Sequence, residues 1–205
     1  MTDQPTARTM WEQRFGAEAY LYGTDPNEFL QANAHVLPHG PTMCLAEGEG
    51  RNAVHLAGLG REVHSVDLTD AGVAKTLRLA QQRGVQVAAI VGDLAEFDLG
   101  ADRWSAIVSI FAHMPPAVRR DLHARVVTAL APGGVLLLEA YTPAQIGRGT
   151  GGPAVPEMTM TLDGLRDELA GLEFLHAAEL EREVVEGPGH TGVGAVVQVI
   201  ARKPG

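Results

Sequence analysis

Apolar positions along the chain fall into short unbroken runs separated by amphipathic stretches. The run at 42–46 has no polar alternation, the pattern of a strand buried on both faces of a sheet. Further strands are expected at 62–67, 85–91, 105–110 and 135–139, the last the most apolar. Between them the spacing turns helical. A helix over 51–59 ends at Gly60, and a second, capped by Thr69 or Asp70, carries Val73, Leu77, Leu79 and Ala80 and stops at Gly84. A third over 116–130 carries Val118, Leu122, Val126, Val127 and Leu130, and Pro132-Gly133-Gly134 then turns the chain into its most apolar run. Strands alternating with helices predict a doubly wound α/β sheet with right-handed parallel crossovers. After residue 141 the pattern changes. Residues 143–158 are rich in glycine and proline, a helix is expected over 161–170, and strand candidates at 173–184 and 193–202 flank the loop Glu186-Gly187-Pro188-Gly189-His190-Thr191-Gly192. The expectation is a mostly parallel, seven-stranded Rossmann-like sheet with a C-terminal antiparallel hairpin.

Ahead of the first strand, 10–36 hold two short helical patterns around Gly23-Thr24-Asp25-Pro26. Asp25 is expected to cap a helix with Pro26 at its first position. One domain is expected over 1–205, with 1–40 as a helical lid or cap and 41–205 as the sheet core. The segment either covers a sheet edge or closes over a ligand with Arg14, Tyr20 and Tyr22 facing it.

Composition narrows the function. A 205-residue chain that is 45% hydrophobic, with mean hydropathy near zero, is long enough for a sizeable core. A net charge of −9 argues against general nucleic-acid binding, which needs a basic face. Cys44 is the only cysteine, so no internal disulfide forms. The N-terminus reads unlike a signal peptide and no run approaches a membrane span, so a cytoplasmic protein is expected.

Ligands of an open parallel sheet bind outside the carboxyl ends of the strands, where strand order reverses. The first strand runs into Glu47-Gly48-Glu49-Gly50-Arg51-Asn52, a glycine turn opening a helix. This is neither a P-loop, since no Lys-Ser/Thr follows, nor a full G-x-G-x-x-G, since Ala53 stands at the third glycine position. The second strand ends at Asp67-Leu68, where an acid can hold ribose hydroxyls, and the third at Asp93-Leu94, suited to an adenine amine and ring. Ser109 and Ile110 end the fourth. Each acid alone reads equally well as a turn former; together they imply a nucleoside.

The segments 45–53, Val66-Asp67, Gly92-Asp93-Leu94, Ser109-Ile110-Phe111-Ala112-His113-Met114-Pro115-Pro116 and Leu130-Ala131-Pro132-Gly133-Gly134 resemble a class I S-adenosylmethionine-dependent methyltransferase. The chain is most similar to the compact bacterial group that includes tellurite-resistance and thiopurine-type methyltransferases. The resemblance implies S-adenosyl-L-methionine as cofactor, with S-adenosyl-L-homocysteine as its product. It puts the glycine loop under the methionine part, Asp67 on the ribose, and Asp93 with Leu94 on the adenine. The expected cofactor-binding set is Glu47, Gly48, Glu49, Gly50, Asn52, Asp67, Leu68, Asp93, Leu94, Ser109 and Ile110, with Arg14 and Tyr22. The family usually has an acid where Cys44 stands, a role for which Glu47 or Glu49 is the substitute.

Acceptor-side candidates are His113, Tyr141, Arg148 and His190. His113 is placed to take a proton or orient the acceptor, and Arg148 to hold an anion. The scattered histidines, with no H-x-x-x-H on a helix, argue against a metal. The expected function is methyl transfer to a small molecule: a thiol, an oxyanion or a metalloid oxyanion. The rivals are an NAD-dependent oxidoreductase and a non-catalytic nucleoside-binding protein of the same fold. A small-molecule substrate is the expected partner, with neither nucleic acid nor membrane, and the chain is expected as a monomer or homodimer.

Overall fold

The structure, a computed structural model, describes residues 6–205. Its strands are β1 (Thr42–Leu45), β2 (Val63–Asp67), β3 (Ala88–Val91), β4 (Trp104–Ile110), β5 (Leu130–Tyr141), β6 (Glu173–Glu186) and β7 (His190–Arg202). They form one sheet in the order β3-β2-β1-β4-β5-β7-β6. β1 to β5 pair in parallel, and β7 pairs antiparallel with both β5 and β6. The order reverses between β1 and β4, so the cleft of this fold opens where those two strands end. The helices are α1 (Ala7–Phe15), α2 (Glu28–Asn33), α3 (Arg51–Gly58), α4 (Asp70–Arg83), α5 (Pro116–Ala129) and α6 (Leu162–Glu168).

The unbroken apolar runs are explained by two separate cores. Side chains alternate across a strand. Met43 and Leu45 enter a cluster with Trp104, Ile107, Leu136 and Leu138, while Cys44 enters another with Leu56, Leu79, Val108 and Leu137. Glycine ends α4 as expected: Gly84 has φ +68, and the Val85 N–H returns to the Ala80 carbonyl. That turn uses up 84–87, so β3 begins at Ala88 rather than at 85.

Two further expectations are corrected. Asp25 and Pro26 do not start α2. Asn27 does, its Oδ1 accepting the Leu30 N–H at 2.9 Å, because its fully buried amide also anchors elsewhere. The C-terminal hairpin is tighter than its glycine content suggests. Glu186 pairs with His190, leaving 187–189 as the turn, so His190 is a buried strand residue and not part of a seven-residue loop. Tyr141, the last residue of β5, pairs with Val196. The hairpin therefore runs six residues past the sheet edge, roughly 20 Å. Its turn meets the N-terminal segment, where the Gly189 N–H donates to the Leu21 carbonyl. α1 sits against α4, and Glu12 accepts the Asp70 and Ala71 N–H groups at that helix's start.

Candidate active site

The glycine loop leaves β1 through three left-handed residues: Ala46 (φ +48), Gly48 (φ +64) and Gly50 (φ +95). At Gly50 a Cβ would lie 2.6 Å from Thr76 Cα, so only glycine lets α3 approach α4. Ala46 holds the same kind of backbone with a side chain, a strain that persists only where the surroundings enforce it. The Gly48 N–H donates to Asp67 Oδ2 at 2.8 Å, and the Thr76 hydroxyl donates to the Gly48 carbonyl. Asp67 Oδ1 accepts the Thr69 N–H and hydroxyl. The carboxylate is buried, which raises its pKa, and it braces the loop as well as lining the cleft. Asp93 is exposed and accepts the Ala95 N–H, while Leu94 is buried beside it. Leu68 is half-buried, and Ser109 and Ile110 are buried at the end of β4. Phe111 follows with φ +52, a second left-handed side-chain residue at the same edge. The loop, Asp67 and Asp93 thus end neighbouring strands on one edge, as a nucleoside-bearing cofactor requires.

Glu47 and Glu49 have different tasks. Glu47 Oε1 accepts the Asn52 and Ala53 N–H groups at 2.9 and 2.8 Å, taking the place of the missing N-cap of α3. Burial pushes its carboxyl up to about 7, against the pull of those two N–H groups and Arg51. The thiol of Cys44 lies fully buried, raised by burial and by Glu47 beside it. Glu49 is fully engaged. One oxygen takes Lys75 Nζ at 2.5 Å and the other takes the Leu21 and Tyr22 N–H groups, so it ties the N-terminal segment to α4. Asn52 does similar work, its Oδ1 accepting the Asn27 N–H. Arg14 is exposed and lies over the Trp11 ring. Tyr22 packs against the His190 ring, centroids 4.4 Å apart.

A buried ionic network that the sequence reading missed underlies this edge. Arg182 binds Glu139 through Nε and Nη2 and reaches Glu186 through Nη2. Glu186 also takes Arg51 Nη2 at 2.5 Å, and the Asn27 amide bridges Glu139 and Glu186. At the network's exposed rim Arg182 Nη1 also reaches Glu28, so two guanidinium groups face three carboxylates. One signal was available: Glu139 is a lone acid ending an otherwise apolar run.

The acceptor-side candidates separate. His113 has no free nitrogen, since Nδ1 contacts the Met158 carbonyl and Nε2 accepts the Tyr141 N–H; burial pushes its imidazole down to about 4. It pins the backbone and does not serve as a base. Arg148 turns away, pairing with exposed Glu181 and the Ala144 carbonyl. Tyr141 and His190 do converge. Their rings lie 5.3 Å apart, and Phe111 is 4.5 Å from Tyr141 and 4.8 Å from His190. Burial lifts the Tyr141 hydroxyl's pKa above its ordinary range and pushes the His190 imidazole down to about 3. Among the described residues, Tyr141 OH, His190 Nδ1, Arg51 Nη1 and His55 Nε2 are the buried side-chain polar atoms without a partner. Such an atom costs roughly 1–3 kcal/mol when buried dry, so each calls for a partner that a ligand or a water would supply.

Residues 43–134 match a family model described as a methyltransferase domain. The matched stretch contains the glycine loop, Asp67 and Asp93. No curated protein matches it in sequence. Solved structures share its fold at low identity. One is a protein studied in the conversion of a disulfide bond into a thioacetal group during echinomycin biosynthesis (TM-score 0.77, 19% identity, 95% of this chain and 91% of that one). Another is TehB from Haemophilus influenzae (0.69, 18%, 94% and 65%). A third is the Burkholderia thailandensis 1,6-didemethyltoxoflavin-N1-methyltransferase, with its substrate and S-adenosylhomocysteine bound (0.62, 19%, 86% and 76%). Among the described residues, no helix is long and apolar enough to cross a membrane, and no group of three His, Cys, Asp or Glu is placed to hold a metal.

Proposed function

We propose that the chain transfers a methyl group from S-adenosylmethionine to a small-molecule acceptor, a thiol or an oxyanion. The observation that carries this is the convergence of the Gly48–Gly50 loop, Asp67 and Asp93-Leu94 at one edge of the sheet, beside a buried cluster of unpartnered polar atoms. In this reading the loop supports the methionine part, Asp67 holds the ribose, and Asp93 with Leu94 holds the adenine. Residues 6–40 form the lid, latched by Glu49 and Glu12. The cofactor supplies an electrophilic methyl on a sulfonium. The chain's own residues align the reactants and exclude water, which is where most of the protein's contribution to such a displacement lies.

Isothermal titration with S-adenosylmethionine and S-adenosylhomocysteine tests the assignment. Both are expected to bind, and Asp67→Ala is expected to weaken S-adenosylhomocysteine roughly 10- to 100-fold, the loss of a charge-assisted bond. Absence of binding at millimolar ligand, or binding of NADH instead, rejects it.

A further inference from the structure

Three of the unpartnered buried atoms belong to one place. Glu186 and His190 are paired across the hairpin turn, and Glu186 holds Arg51, whose positive charge is near enough to lower the His190 pKa. His190 in turn packs on Tyr141, Phe111 and Tyr22 at centroid distances of 5.3, 4.8 and 4.4 Å. Arg51, Tyr141 and His190 are 7%, 0% and 7% exposed. We propose that Arg51 Nη1, Tyr141 OH and His190 Nδ1 form the acceptor pocket of the methyltransferase, and that it takes a small acceptor already ionised in solution. The proposal rests on the methyltransferase reading given above.

The free Arg51 Nη1 and the proton accounting both favour an ionised acceptor. Arg51 gives Nη2 to Glu186 and keeps Nη1, a charged donor suited to a monoanion. In the displacement the anion's lone pair forms the new bond to the methyl carbon. The carbon–sulfur bond breaks with its electron pair on sulfur, leaving a neutral thioether and a methylated acceptor. No proton moves, so no base is needed. Neither histidine offers one: both nitrogens of His113 are engaged, and the His190 imidazole, held down at about 3 by burial and by Arg51, is a poor proton acceptor near neutrality. His190 and Tyr141 instead orient the anion.

The pocket is tested by calorimetry at about pH 8 on wild type, R51K, Y141F and H190Q. Each protein is first saturated with S-adenosylhomocysteine. It is then titrated with sodium hydrosulfide, with sodium selenite, and with 2-mercaptoethanol as an un-ionised control. Wild type is expected to bind at least one of the anions and not the control. R51K should weaken that anion tenfold or more, and Y141F and H190Q severalfold. Y141F removes a hydroxyl that has no partner, so its urea midpoint and its affinity for S-adenosylhomocysteine should match wild type, which keeps the test independent of folding. The proposal is overturned if neither anion binds, if the control binds equally well, or if anion affinity is the same in R51K. It is also overturned if R51K weakens S-adenosylhomocysteine as much as the anion, which would assign Arg51 to the cofactor. If S-adenosylhomocysteine fails to bind wild type, the functional reading falls separately, and titrating the anions into the ligand-free protein then judges the pocket alone.

Discussion

Replacing Glu47 with glutamine isolates the electrostatics of the glycine loop. In the folded chain its carboxyl ionises at about 7 rather than at 4.5, because burial outweighs the two backbone N–H groups and Arg51 that favour the charged form. Between those values the folded protein keeps a proton that the unfolded chain has released. Stability therefore falls as pH rises through this window and is level above it. The interval corresponds to about 3 kcal/mol. Glutamine retains an oxygen for the Asn52 and Ala53 N–H groups but cannot ionise. Relative to wild type, E47Q should gain about 2–3 kcal/mol between about pH 5 and about pH 8. Urea unfolding of both proteins across that range measures it. His113 and His190 titrate in the opposite sense: with folded values near 4 and 3, they cost stability as pH falls below about 6.5. They are present in both proteins and cancel in the difference. A difference profile that is flat, or that falls with pH, refutes the assignment of a protonated Glu47.

Glu49→Ala leaves Lys75 buried with only the Ala19 carbonyl as partner, and breaking such a buried pair costs about 3–5 kcal/mol. The urea midpoint should fall accordingly, and the E49Q/K75M double variant should recover part of the loss. Gly50→Ala forces a Cβ to 2.6 Å from Thr76 Cα at φ +95, which should cost on the order of 3 kcal/mol and abolish titratable S-adenosylhomocysteine binding. A G50A protein with wild-type stability would mean that the α3–α4 approach is not needed.

Much of the architecture was legible because its signals are local. Runs such as 42–46 and 135–139 lack polar alternation, and Gly60 and Gly84 stop helices with left-handed backbone. The third strand was drawn too long because Val85 is apolar yet spends its N–H closing α4. The site was less legible. Glu49 and His113 look like chemistry in one dimension, but the fold engages both Glu49 oxygens and both His113 nitrogens. His190 looked like a loop residue because glycines flank it, and strand pairing with Glu186 buried it.

By itself, then, the order of residues determined the alternation of strands and helices, the glycine turn and the acids at the strand ends, since each depends on neighbours a few positions away. Only the tertiary structure decided which polar atoms are satisfied. Arg51, Tyr141 and His190 are separated by 90 and 49 positions, and the hairpin brings them to one edge. Glu139 and Glu186, nearly fifty residues apart, share Asn27 and Arg182. Whether a buried donor has a partner depends on long-range packing, so local pattern does not encode it.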